Sequence, residues 1–266
     1  MPSALMRTVC GFAFLIVLLA APAWASSDRR TAAADEEYSR NNVQQHLPDL
    51  RKYPSGTPRK KAFLQAVVPV ITQQNQIIRQ ERDWLLNKRH SATWAAADAQ
   101  RLQQICSRYR VSCGANAKQV NWDALLKRVN TLPVHLVATQ AATESGWGTS
   151  KLAQQNNNLF GLRCAHRRCG QRNAQSGYQS YGSIVESVRD YMLNMNTHGA
   201  YQSLRESRER QRDSNEADKA RHLINDLDNY SQRGETYNRY LHTILDHNEH
   251  LISQIQRTTT TAVDAI

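Results

Sequence analysis

The chain has 266 residues, with 34 lysines and arginines against 23 acids and a formal net charge of +11. That length holds one large domain, or one domain with a helical appendage. The charge points to a polyanionic surface, such as cell wall or anionic headgroups, more than to nucleic acid, with ordinary solvated basic surface as the plain alternative.

In chain order, a lone Arg7 precedes the apolar run CGFAFLIVLLA, and APAWA then leads to Ser26. Residues 1–25 read as a cleavable signal peptide, with Ala23 and Ala25 as the small residues before the cut. An uncleaved anchor is the alternative, but the run is shorter than the ~20 residues a span needs. The expected location is periplasmic or secreted. Residues 26–58, broken by Pro48, Pro54, Gly56 and Pro58, read mostly as a linker.

From 59 to 120 the pattern is helical. Phe63, Leu64, Val67, Val68, Ile71, Ile77, Ile78, Trp84 and Leu85 form an apolar stripe, and Pro69 divides it into a short and a long helix. A third helix spans about Thr93 to Tyr109. Residues 121–252 form the main domain, beginning with a short helix from Asn121 to Asn130. Another opens at Thr131, with Pro133 in its first turn, and carries Glu144. Leu159 to Cys164 and Gly177 to Tyr181 suggest two or three short strands around a basic tip. Helix returns at Ser183, RESRERQRDSNEADKA reads as a charged loop or solvated helix face, and two helices follow near Leu223 to Leu227 and Tyr237 to His250. Residues 253–266 read as a disordered tail. The expected fold class is α+β, mainly α, with a dominant helical lobe and a small β-lobe.

Cleavage after Ala25 removes Cys10 and leaves two close pairs. Cys106 and Cys113 frame SRYRVS, and Cys164 and Cys169 frame AHRR. In an oxidising compartment these predict two small disulfide loops. Zinc is the rival reading, but neither spacing has the tightness of a structural zinc site. No HExxH, GxSxG or phosphate loop is present, and the histidines are scattered, so neither metal nor cofactor is expected.

The stretch ATQAATESGWGTSKLAQQNNNLFG holds the chemistry. Val134, Val137, Ala138 and Ala141 step along one helix face, and Glu144 continues that stripe toward the core. It sits in the last turn, where the helix dipole disfavours a carboxylate by about 0.3 to 1 kcal/mol. Gly146 can end the helix in the left-handed region. Burial and dipole both favour the protonated form, as a general acid requires. The plain alternative is a Glu that bonds the turn backbone or an arginine. Trp147 offers a ring to shield the acid or stack on a sugar, and Asn156 to Asn158 can cap a turn or bond hydroxyl and acetamido groups.

ATQAATESGWGTSKLA followed by NNLFGL resembles the glucosaminidase family of peptidoglycan hydrolases. YQSYGSIVESVRDYMLNM and YSQRGETYNRYLHTIL extend the likeness, and CAHRRCG with the basic helical N-terminal part resembles a Gram-negative branch of that family. The resemblance implies a lysozyme-like helical lobe with a small β-lobe, peptidoglycan glycan strands as substrate, and cleavage of the β-1,4 bond after N-acetylglucosamine. It places Glu144 on the catalytic acid, Tyr237 on an active-site tyrosine and Tyr230 on the preceding one. Asn158 and Phe160 match positions that line the cleft or shape its floor, and Glu186 matches the Glu-Ser of the pattern. YSQRGETY has one residue more between its tyrosines than the family's usual spacing.

A second carboxylate is not evident. Glu186 and Asp190 are the next acids after Glu144, and none lies between Leu159 and Tyr181. Substrate assistance by the N-acetyl group stays open. A lytic transglycosylase on the same fold and a non-catalytic wall-binding protein are the alternatives.

Overall fold

The computed structural model describes residues 44–91, 93–114, 119–164, 177–211 and 213–264. These build nine α-helices among the described residues: α1 (Thr57–Arg89), α2 (Ala96–Arg108), α3 (Trp122–Arg128), α4 (Val134–Ser145), α5 (Lys151–Asn156), α6 (Ile184–Thr197), α7 (Gln202–Arg210), α8 (Glu216–Ile224) and α9 (Glu235–Asp264). The expected signal peptide and most of the expected linker lie outside the described residues.

The centre is α4. Val134 through Ala142 are all buried, so over that stretch the helix has no solvent face, and only Thr143 and Glu144 near its end are partly open. The one-sided stripe expected from the sequence is therefore a helix enclosed on every side. It packs chiefly against α9, then α8 and α1. Two neighbours fix its start. The Asn75 side chain of α1 pairs with Leu132 like a peptide unit, donating to its carbonyl at 2.7 Å and accepting from its N–H at 3.0 Å. A Glu216 carboxylate oxygen accepts from the Val134 N–H at 3.2 Å, which satisfies one orphan donor of the first turn. The helix begins at Val134 rather than Thr131, with Pro133 as its N-cap.

Several expectations are corrected. Pro69 does not divide α1, which runs unbroken for 33 residues. Proline removes the bond to the carbonyl of residue 65. Gln65 is exposed, so water can take that carbonyl, while Val67, Val68, Val70 and Ile71 bury on both sides of the proline. Residues 44–52 are not a linker. Leu50 is fully buried in a 3-10 turn, the Gln45 carbonyl accepts from the Ile184 N–H at 2.8 Å, and Gln154 donates to the Pro48 carbonyl at 3.1 Å. Nor does a disordered tail begin at 253. Helix α9 continues to Asp264 with Ile252 and Ile255 in the core, and Ser253 bonds the buried His135 ring at 2.9 Å.

The charged run RESRERQRDSNEADKA supplies most of α7 and the first part of α8, and it is not simply solvated. Arg208 is buried and donates to the carbonyls of Lys127 and Thr131 at 2.7 and 3.1 Å and to the Asn196 oxygen at 2.7 Å. Burial pushes its pKa down to about 9, so it remains a cation at neutral pH. Of the expected small sheet, the described residues hold one antiparallel bridge, Arg163 to Tyr178, flanked by bonds from Cys164 N–H to Gly177 and from Gln179 N–H to Leu162. The basic tip with His166, Arg167, Arg168 and Cys169 lies outside the described residues. Mainly helical architecture is observed, and a β-lobe is not among the described elements.

The pairing of Cys106 with Cys113 is present, with Cα atoms 6.1 Å apart, closing the loop after α2. Cys164 is also disulfide-bonded.

Candidate active site around Glu144

The end of α4 places Glu144. Ser145 folds its hydroxyl back onto the Ala141 carbonyl at 2.6 Å and accepts from the Gly148 N–H at 2.8 Å. Gly146 then takes the left-handed conformation expected of it, φ 59° and ψ 49°, and Trp147 and Gly148 also have positive φ. A Cβ on Gly148 would stand 2.3 Å from Leu50 Cδ1, so glycine there answers both the backbone and the close approach of the strap 44–52.

Glu144 is half-buried. Burial raises its pKa, and a hydrogen bond from Tyr237 and the charge of Arg233 pull it partly back. The Tyr237 hydroxyl, near the start of α9, donates to Glu144 Oε1 at 2.8 Å. Oε2 faces Gly161, where an added Cβ would be 3.7 Å away. The structure thus brings together Glu144 and Tyr237, 93 positions apart in the chain.

An aromatic floor supports them. Tyr230 stacks on Tyr237 with centroids 5.6 Å apart and planes at 10°, and its hydroxyl donates to the Phe160 carbonyl at 2.9 Å. Phe160 stacks on Tyr191 at 3.9 Å. Phe160 is buried, so its ring packs in the core beneath the pair and does not face solvent. Asn158 is buried as well. Its amide N–H groups reach the Leu162 and Gln179 carbonyls, both at 3.0 Å, and its oxygen accepts from the Phe160 and Leu162 N–H groups. All of that capacity holds the turn beneath Gly161.

Trp147 lies with α1 instead of over the acid. Its ring meets Phe63 edge-on at 5.7 Å and carries Lys60 Nζ 5.1 Å from its centroid. Glu186 accepts from the Gly182 N–H at 2.9 Å, and Ser183 caps the Glu186 N–H at 3.2 Å, a helix-start arrangement for α6. Asp190 accepts from the Tyr181 hydroxyl at 2.6 Å. Both acids are therefore engaged in holding loops. Sequence reasoning gave Tyr191 no role beyond its place in the family motif and did not single out Gln140; the two link to Tyr237 from behind. The available signal was a glutamine one helical turn before Glu144 in a run of small and apolar residues. Two surface hollows, of about 300 and 570 Å³, lie elsewhere and do not include Glu144.

The glucosaminidase family model, described as mannosyl-glycoprotein endo-beta-N-acetylglucosaminidase, matches residues 120–253. The chain is 47% identical over 223 residues to "Protein bax" of Escherichia coli (strain K12), covering 83% of this chain and 81% of that protein. No solved structure matches it.

Proposed function

Because the chain belongs to the glucosaminidase family, a glycoside hydrolase type of enzyme, we propose that it is a peptidoglycan endo-β-N-acetylglucosaminidase with Glu144 as general acid. One observation supports this most. A half-buried carboxyl, its pKa raised by burial, faces the chain's own tyrosine through one oxygen and a side-chain-free glycine through the other. Such a group keeps its proton to higher pH than an exposed carboxyl does, which suits it to deliver that proton to the leaving glycosidic oxygen.

The carboxylate pair of a usual glycosidase would stand about 5 to 9.5 Å apart. Glu186 and Asp190 are bound to loop groups, and the stretch 165–176 contains no acid. This supports a route in which the substrate's own acetamido oxygen attacks the anomeric carbon as the glycosidic bond breaks. Glu144 protonates the departing oxygen, and its carboxylate then takes a proton from the water that opens the intermediate. The protein acts in the periplasm or outside the cell, on glycan strands, with its basic surface toward the anionic wall. A mature N-terminus at Ser26 in secreted material tests that location.

Digestion of purified sacculi followed by mass spectrometry tests the reaction. New reducing N-acetylglucosamine ends, absent with Glu144→Gln, are the expected product. Ends in 1,6-anhydro-muramic acid would reassign the site to a lytic transglycosylase. Binding of sacculi without any release by the unaltered protein would leave a wall-binding role.

A further inference from the structure

Gln140 lies one turn before Glu144 on α4 and is fully buried. Its amide is held at both ends. The Tyr191 hydroxyl donates to Oε1, and Nε2 donates to the Tyr237 hydroxyl oxygen at 3.2 Å. Tyr237 in turn donates to Glu144 Oε1 at 2.8 Å.

Each phenol has a single proton, so the order of donors has a consequence. Tyr191 is fully buried and stacked on Phe160, so its hydroxyl has no solvent to donate to, and the acceptor beside it is Gln140 Oε1. Its proton faces Gln140, so the amide oxygen points to Tyr191 and the amide N–H groups point to Tyr237. The Tyr237 oxygen is then already an acceptor on that side, and its proton must face the acid. With the amide reversed, Tyr237 would give its proton to Gln140 and present a lone pair to the carboxylate.

We propose that Gln140 is a positioning residue for the acid: through Tyr191 and Tyr237 it keeps Glu144 Oε1 an acceptor, so the transferable proton is carried on Oε2. That oxygen lies beside Gly161, where an added Cβ would stand 3.7 Å away, so no side chain from residue 161 covers it. The inference rests on Glu144 being the acid of the proposed reaction.

The decisive substitution is Gln140→Glu. It keeps the shape but accepts from both tyrosines and turns the Tyr237 proton away from Glu144. Carbon-13 NMR of the Glu144 carboxyl reads the pKa without substrate, and sacculus digestion reads turnover. The expected result is an upward shift of the Glu144 pKa with kcat lowered ~10-fold or more, the low end of a general acid's contribution being ~100-fold. KM should stay within ~2-fold, since ground-state binding is untouched. In a Tyr237→Phe background, Gln140→Glu should add little. Tyr191→Phe is the milder variant if the first does not fold, and it should move the pKa in the same direction. An unchanged pKa and kcat, or losses that simply add in the double variant, would overturn the proposal. An inert unaltered protein whose Glu144 pKa still shifts with Gln140→Glu would sink the glycosidase reading and leave the relay standing.

Discussion

A carboxyl in the last turn of a buried helix meets both the dipole and a poor dielectric, and Glu144 accepts both costs. Its folded pKa lies above the ordinary 4.5. A carboxyl raised in this way lends stability below its unfolded pKa, and that stability is lost as pH rises through the folded value. Glu144→Gln should therefore melt at the same temperature or a few degrees higher at pH 7, roughly the shift expected for ~1 kcal/mol or less. The gap should close as the pH falls below 4.5. Calorimetry at the two pH values, beside loss of sacculus cleavage, checks this; a large destabilisation with retained turnover would make Glu144 a structural residue. Tyr237→Phe keeps the stack on Tyr230 but removes a bond that lowers the Glu144 pKa. The acid must be protonated to act, so the alkaline limb of the rate profile should move to higher pH while kcat falls more than substrate binding. A profile superimposable on the unaltered one would confine Tyr237 to packing.

At the scale of elements, the helix carrying Glu144 and its glycine stop were legible because both are local: an apolar run, a proline at the start and SGWG at the end. The strap 44–52 was not. Its attachment runs through backbone groups such as the Gln45 carbonyl and through a single buried Leu50, which leave no period in a Pro-rich segment. The aromatic floor was half legible: Tyr230, Tyr237 and, as the tyrosine of an Asp-Tyr motif without a stated role, Tyr191 were marked by the family pattern, whereas Gln140 read as an ordinary helix residue until four segments converged. Gly148 joins the two cases. A side chain there would strain a φ of 75° and press on Leu50, Leu47 and Phe63. Gly148→Ala should cost about 2 kcal/mol from strain and overpacking. Its signature is local as well as global: limited proteolysis should cut within 44–52 before any other site. Uniform cleavage at the rate of the parent would mean the strap is held without Gly148.

For the whole molecule, the net charge of +11 overstates the cationic surface, because several arginines bind carbonyls at helix ends, Arg205 and Arg208 from buried positions and Arg82 and Arg128 from partly buried ones. Arg82 holds the Val129 carbonyl, Arg128 those of Tyr109 and Arg110, Arg205 those of Met195 and His198, and Arg208 the segment from Lys127 to Thr131. Replacing Arg208 with Met should cost about 3 kcal/mol by leaving those acceptors buried and unpaired, read as a lower urea midpoint with an unchanged slope. The same architecture decides where the folding unit ends. The family match covers 120–253, yet one continuous core runs from Leu50 to Ile255, and α1 and the end of α9 both press on α4. A fragment limited to 120–253 would expose the faces that meet Phe63, Leu64, Val67 and Ile71, and would lose the Asn75 pairing that sets the start of α4. It should keep helical circular dichroism but lose dispersed amide spectra and a cooperative melt, whereas residues 44–266 should fold. If the short fragment melts cooperatively, the N-terminal helices are an appendage after all, and the site would be held by α4, α6 and α9 alone.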